Sequence, residues 1–485
     1  MIHGAGAGSR LRHGRRTEVC GSFEQRVCRP VRDGIFRESA AASGSFVLEM
    51  PGYGLVRNPG GNIRRAMKIQ IPEKVNYVLR TLREHGHEAF VVGGCVRDSL
   101  LNKTPSDWDI TTSAYPEEVK ACFPHTTDTG IQHGTVSVIV EHEPVEVTTY
   151  RVDGTYSDGR HPDTVRFTRS LEEDLARRDF TINAMAYNDE SGLQDPCGGR
   201  TDLRNGRIRC VGAPEQRFSE DALRILRALR FASVLGFSIE QNTESAIYDL
   251  ADRVGLVAVE RINAEFSKLI LGQRADLILT RYRGVLSRAT GLRIPAVNDL
   301  DRLPFSVPVR LASMTDVDPR RLKYDNRTVR LVRDIRGALL ALGDFSGGDK
   351  ENSIDGAGGD KENSIDGAGG AGRAVPLYKK ENRSGEGTEP ARVQLRRLLR
   401  MFGEDAVRGA LEIRGDDTAL LERILTDGDC FSLRQLAVTG RDLGLPPGPK
   451  VGKRLNRLLD AVIEEELPNE RELLLRRNAA WTNEG

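Results

Sequence analysis

The sequence is short of several things that would give it a simple reading. Aromatic residues make up 6% and hydrophobic residues 39% of 485 positions, low values for one close-packed globule. More than one domain and some unpacked length are therefore expected. Net charge is almost absent, since 71 Lys and Arg face 70 Asp and Glu. The whole-chain balance gives no nucleic-acid signal, and any basic surface has to be local. The seven cysteines (Cys20, Cys28, Cys95, Cys122, Cys197, Cys210 and Cys430) are odd in number and form no C-x-x-C pair. That argues against a disulfide framework and a cysteine zinc site, and favours a reducing cytoplasm. No apolar run approaches membrane-spanning length, so no membrane partner is expected. Histidine is missing after His161, which excludes a His/Asp metal hydrolase from everything that follows.

What is abundant is glycine, with 50 residues unevenly spread. Residues 1–66 are rich in Arg, Gly and Ser, lack periodicity and read as disordered. Glu18, Glu24 and Asp33 weaken an organelle-targeting reading. A translation start at Met67, with the leader a start-site artefact, is preferred over a functional extension. A second such stretch spans 345–390, where GDKENSIDGAG at Gly348–Gly358 recurs unchanged at Gly359–Gly369. The unit carries a single Ile and cannot bury a core, so a disordered, recently duplicated insertion is expected rather than a solenoid.

Between these segments the periodicity changes once. Val75, Val78, Leu79 and Leu82 mark one face of a helix over Ile71–Glu84. Strands are expected at Ala89–Val92, Trp108–Thr111, Thr135–Val140 and Val145–Tyr150, the last two around a turn at Glu143-Pro144. To about Asn188 the pattern is α/β with one sheet. Beyond Asp195-Pro196-Cys197-Gly198-Gly199 it is helical, beginning with one amphipathic helix over Phe218–Phe237. After the insertion, helices resume near Val393 and run to Leu475.

The chemistry is densest at Val91-Val92-Gly93-Gly94-Cys95-Val96-Arg97-Asp98 and at Asp107-Trp108-Asp109. A glycine pair lets backbone approach a triphosphate, and Arg97 can grip phosphate oxygens. On a strand, Asp107 and Asp109 share one face, where two carboxylates repel unless a cation lies between them. Beside a phosphate-holding turn the economical cation is Mg²⁺. Either motif alone is commonly a turn or a solvated strand end; together, with ten residues between Arg97 and Asp107, they point to nucleotidyl transfer. Arg177-Arg178-Asp179-Phe180-Thr181-Ile182-Asn183 offers donors for phosphate and both roles for a ribose, with a capped helix start as the plain alternative.

The third block is Glu220-Asp221-Ala222-Leu223-Arg224-Ile225-Leu226-Arg227-Ala228-Leu229-Arg230. On a helix Asp221 and Arg224 are i, i+3 neighbours, and Arg227 and Arg230 continue the stripe. As a surface ion pair they would matter little. As a carboxylate beside a guanidinium they would match the amino donor and ring acceptor of cytosine and adenine. Guanine and uracil reverse that order and would leave polar groups unpaired.

With these blocks in view, the chain resembles the class II tRNA nucleotidyltransferases, the family of CCA-adding enzymes and bacterial poly(A) polymerases. The likeness runs through about Met67 to Ile270, including Glu-Val-Thr-Thr-Tyr-Arg and Glu-Arg-Ile-Asn-Ala-Glu-Phe, and resumes in Leu-Ala-Val-Thr-Gly-Arg-Asp-Leu and Pro-Gly-Pro-Lys-Val-Gly. It implies a polymerase-beta-like α/β head with a small mixed sheet, followed by an all-α neck, body and tail. The expected divisions are head 67–190, neck 191–255, body 256–344 and body/tail 391–485. It also implies that Asp107 and Asp109 bind Mg²⁺ and catalyse, while Gly94, Arg97, Arg178 and Asp179 hold triphosphate and sugar. Asp221 and Arg224 would select the base with Arg227 and Arg230 in support, and Glu260, Arg261 and Glu265 would brace the neck. Glu146 is either a third carboxylate or a packed strand-end charge. The loop Asp153–Pro162 resembles the family's flexible loop, which argues against a CC-only enzyme. CTP, ATP and tRNA are the implied partners, with Lys450, Lys453, Arg454 and Arg457 as local phosphate contacts. The rivals are a poly(A) polymerase, the A-adding member of a split system, and a non-catalytic RNA-binding protein.

Overall fold

The computed structural model describes residues 53–57, 63–154, 156, 164–295, 299–314, 316–344 and 389–483. Most of the expected leader and of the 345–390 insertion lies outside them. Within the leader, however, Tyr53–Arg57 and Ile63–Met67 pair as an antiparallel hairpin, and the expected start at Met67 is the hairpin's last residue. The sequence between the strands, Asn-Pro-Gly-Gly-Asn, is a turn composition that a search for apolar periodicity passes over.

A helix follows at Glu73–Glu84, with Val75, Val78, Leu79 and Leu82 buried as its periodicity requires. It covers a seven-stranded sheet. Across the sheet the order is Gly192–Gln194, Ala186–Asn188, Ala89–Val92, Asp109–Thr112, Glu143–Thr149, Thr135–Val140 and Thr126–Gly130. Every neighbour pair is antiparallel except Asp109–Thr112 with Glu143–Thr149, so the sheet is mixed, as expected. Ala89–Val92 is buried along its length, which explains its unbroken apolar run.

Two local expectations are corrected. The hairpin between Thr135–Val140 and Glu143–Thr149 turns at Glu141 and His142, both at positive φ, and Pro144 lies inside the second strand. A two-residue loop with both φ values positive matches the strand twist, whereas the proline only looked like the turn. The acidic strand begins at Asp109, so Asp107 lies on the loop before it and not on the strand face. Ser106 there donates to the Asp107 carboxylate at 2.9 Å.

After residue 195 the described residues are mostly helical, with one small parallel strand pairing among them, Arg207–Ile208 with Ser238–Ile239. The helix expected over Phe218–Phe237 is two helices, Pro214–Glu220 and Leu223–Leu235, broken at Asp221. Asp221 is extended at φ −145, and its side chain accepts from the backbone N–H of Leu223 at 3.0 Å. Asp readily trades a helical position for such a local cap, and continuous hydrophobic spacing conceals the trade. The helices after the insertion run from Glu389 to Asn483, beyond both expected ends.

Three apolar clusters result among the described residues, one of them a small group of Phe90, Val92, Tyr150, Leu175, Ala184, Ala186 and Val211. Of the other two, one runs from the sheet through the helices to Ile424. A smaller one gathers Leu436, Val438, Leu458, Leu459, Val462, Leu474 and Trp481 in the last helices. Between them the helix Glu389–Phe402 presents arginines: Arg392 pairs with Asp427 and Asp429, Arg396 with Glu465, Arg397 with Glu464, and Arg400 with Asp460.

Candidate active site

Gly93 sits between the buried strand Ala89–Val92 and the helix Gly94–Leu100, at φ +80 and ψ −125. This is a conformation that side-chain-bearing residues rarely take. A Cβ there would come 3.4 Å from Arg178 Nη1. The register opposes Val92 to Asp109. The glycine turn and the first strand acid thus share one edge of the sheet, although the sequence separates them by a helix and a loop.

Asp107 and Asp109 are both exposed at that edge. Desolvation by the surrounding walls raises the Asp109 carboxyl above the ordinary aspartate range; Asp107 adds to the rise, and Arg178 opposes it. A carboxyl held up mainly by desolvation, with a second carboxylate adding to the rise, is a site where a cation is favoured. Glu146 is exposed on the adjacent strand. The parallel ladder begins at the pair Ile110 and Val147, the residues that follow Asp109 and Glu146. Among the described residues no group of three or more His, Cys, Asp or Glu is gathered closely enough to hold a metal. Two hard carboxylates fit a divalent ion that takes its other ligands from substrate phosphate and water.

The arginines around this edge are held by their own partners. Arg97 donates to Asp98 at 2.8 and 2.9 Å and to Asn183 at 2.7 Å. Arg178 and Arg177 both donate to Asp174, which is fully buried and also accepts from Thr111 and the Arg151 N–H. Burial alone would raise the Asp174 carboxyl; the charges of Arg178 and Arg177 outweigh it and hold it low. Asp174 was not singled out from sequence. Its signal was the i, i+3, i+4 spacing to Arg177 and Arg178 on one turn.

Asp179 is more engaged than a free ribose contact would be. It accepts from the Phe180 N–H at 2.8 Å, from Asn183 at 3.1 Å and from Arg227 at 2.8 Å. Burial pushes its carboxyl up, but Arg227 and these donors bring it down to about 2. Arg227 thereby ties the helix Leu223–Leu235 to the segment that carries Asp179. Glu265, buried on the helix Val259–Ile270, reaches Arg230 at 2.6 Å and Arg227 at 3.5 Å.

The side chains of Asp221 and Arg224 do not bond one another, although the Arg224 N–H donates to the Asp221 carbonyl at 3.0 Å. Arg261 donates to Asp221 at 2.8 Å, and Arg224 donates to Glu220 at 2.6 Å. Because the helix breaks at Asp221, the i, i+3 argument does not apply; acceptor and donor are each anchored from behind. Tyr156, the described residue inside the loop 153–162, donates to Asp153 at 2.9 Å. Its hydroxyl feels the charges of Arg224 and Glu220. Residues 155 and 157–163 of that loop lie outside the described residues.

Comparison with known proteins agrees with this geometry. Residues 89–209 match the poly A polymerase head domain, residues 236–283 the probable RNA- and SrmB-binding site of polymerase A, and residues 405–477 tRNA nucleotidyltransferase domain 2. The CCA-adding enzyme of Geobacillus kaustophilus is 36% identical over 431 residues, covering 84% of this chain and 95% of that protein. That of Leuconostoc mesenteroides is 53% identical over 214 residues, 43% of this chain and about half, 53%, of that protein's length. The Bacillus stearothermophilus CCA-adding enzyme, solved in complex with CTP, superposes with a TM-score of 0.65 at 30% identity, covering 86% of this chain and all of that one. The Thermotoga maritima enzyme, solved with tRNA, shares the fold at a TM-score of 0.58 and 18% identity. With the acid pair and glycine turn on one sheet edge and near full-length likeness to the Geobacillus protein, the chain belongs to the CCA-adding enzyme family of nucleotidyltransferases.

Proposed function

We propose that the chain adds C, C and A to tRNA 3′ ends from CTP and ATP, without a nucleic-acid template and with release of pyrophosphate. The observation that carries this reading is the separate anchoring of Asp221 and Arg224. A pair that neutralised itself would have nothing to offer a base. Held by Arg261 and Glu220, the carboxylate and guanidinium keep polar edges for the N4/N3 edge of cytosine or the N6/N1 edge of adenine.

Nucleotidyltransferases of this family generally use divalent metal ions. Asp107 and Asp109 would hold Mg²⁺ here, which when bound would offset negative charge at the α-phosphate and make the attacking 3′-hydroxyl easier to deprotonate. Arg97 and Arg178 meet the triphosphate from the glycine turn. Arg227 and Arg230 hold the base-selecting helix against the head. Asp179 acts as the anchor of Arg227, with its sugar-facing role carried by the ordered Asn183 beside it.

The division into head 67–190, neck 191–255, body 256–344 and body/tail 391–485 is our reading of the same elements. In the tail, Arg457, Arg477 and Arg454 lie 3.9, 5.3 and 5.6 Å from the centre of the Trp481 ring. With Lys450 and Lys453 on the same helix as Arg457, they form the local basic surface that tRNA backbone requires. The described cysteines are all unpaired, which supports a reducing compartment such as the cytoplasm. No described helix is long and apolar enough to cross a membrane.

The test is incubation with tRNA lacking its 3′ end, CTP and ATP. Three defined additions are expected. A long A tail would make the chain a poly(A) polymerase, incorporation of ATP alone an A-adding enzyme, and no incorporation a non-catalytic RNA-binding protein.

A further inference from the structure

Phe231 lies on the helix Leu223–Leu235 and is 4% exposed. Three guanidinium carbons approach its ring centre: Arg230 at 3.8 Å, Arg97 at 5.1 Å and Arg227 at 5.5 Å. Phe180 meets the ring edge-on at 5.7 Å. All three cations lie within the roughly 6 Å over which an aromatic face attracts them. Arg97 comes from the helix after the glycine turn, while Arg227 and Arg230 come from the base-selecting helix. Successive residues on a helix point to different sides, so Arg230 has to fold back to reach its neighbour's ring.

Each of these arginines also has a carboxylate: Asp98 for Arg97, Asp179 for Arg227 and Glu265 for Arg230, with Glu265 also 3.5 Å from Arg227. The carboxylates fix one edge of each guanidinium. They do not explain why three like charges converge on one buried point. A fourth carboxylate there would neutralise the fan and compete with phosphate. An aliphatic side chain would fill the space and attract nothing. An aromatic ring draws cations without accepting their strong hydrogen bonds, and so leaves N–H groups for a ligand.

We propose that Phe231 is a positioning residue for the nucleotide triphosphate: its ring gathers Arg97 from the head and Arg227 and Arg230 from the neck into one fan. The role couples phosphate grip to the segment that reads the base, and it rests on the nucleotidyl-transfer reading above. Phe231 itself touches no substrate. Because triphosphate is common to CTP and ATP, the effect is the same for both.

The test replaces Phe231 in the full-length protein with phenylalanines carrying one, two or three ring fluorines, which weaken the ring's attraction for cations while nearly keeping its shape. Steady-state addition to end-deficient tRNA and calorimetric titration of CTP are read together with thermal unfolding. KM and the CTP dissociation constant are expected to climb with each fluorine, by about tenfold in all, with kcat within about twofold and the midpoint unmoved. Phe231→Trp should retain wild-type KM, and Phe231→Leu should match the trifluoro protein. A flat KM and CTP affinity across the series would overturn the proposal, because a packing role is indifferent to fluorination. Wild-type protein that incorporates nothing, with CTP affinity still falling across the fluorinated series, would remove the catalytic reading and leave the fan standing.

Discussion

Arg261 donates to Asp221 at 2.8 Å across 40 residues of sequence, from the helix Val259–Ile270. A residue assigned to bracing therefore sets the aim of the carboxylate expected to read the base. Arg261→Ala should leave Asp221 free to swing toward Arg224 and quench it. CTP and ATP efficiency should fall about tenfold to a hundredfold, the scale of a lost charged hydrogen bond, while UTP misincorporation rises. Single-nucleotide competition assays would show it; unchanged selectivity would reduce Arg261 to a structural strut.

Asp109→Asn should lower kcat by about a thousandfold or more, since the metal's contribution is several kcal/mol. It should leave tRNA affinity, read by gel shift, nearly unchanged. The same change should raise thermal stability without nucleotide. The Asp109 carboxyl is raised in the folded chain, so its ionised form opposes folding, and that opposition appears as pH rises through the raised value. Below the ordinary aspartate range the two proteins should melt alike.

Glu146→Gln separates a third carboxylate from a strand-end charge. The substitution should raise the metal concentration needed for half-maximal rate about tenfold if Glu146 shares the cation. A purely structural glutamate would leave that midpoint where it is.

Asp179 carries the opposite pH signature. Its carboxyl falls to about 2 beside Arg227. The stability this supplies is fully present above about pH 4, the unfolded value, and is lost as pH falls through 2. Wild type and Asp179→Asn should differ by about 2 kcal/mol at neutral pH and converge over that window. Urea unfolding at a series of pH values measures the gap, and a constant gap would mean that the Arg227 pair does not carry it.

Gly93→Ala places a side chain at φ +80 and 3.4 Å from Arg178. A cost of about 1–2 kcal/mol in stability is expected, with KM for both nucleotides raised as Arg178 shifts. Unfolding midpoints and KM should move together.

The sheet and the acid edge were legible because both rest on short-range patterns: Ala89–Val92 is continuously apolar, and Gly93-Gly94 with Asp107-Trp108-Asp109 is a local motif. What escaped was set by partners distant in sequence or by a cap that competes with the helix. The break at Asp221 is hidden under unbroken hydrophobic spacing and depends on Leu223 and Arg261. Asp174 had its signal in the spacing to Arg177 and Arg178, but its burial, which makes that pairing matter, is set by the fold. Phe231 acquires meaning only when Arg97 arrives from another element to join Arg230 at its ring.

The row of arginines on the helix Glu389–Phe402 has one further implication. The last core is small and closed on itself, and its bond to the rest of the chain on this face is ionic: Arg392, Arg396, Arg397 and Arg400 against Asp427, Asp429, Glu465, Glu464 and Asp460. Exposed ion pairs weaken in salt, whereas apolar cores do not. The final helices are thus mounted on a joint whose stiffness the surrounding electrolyte sets, and potassium chloride should loosen their amide protection well before it touches the sheet.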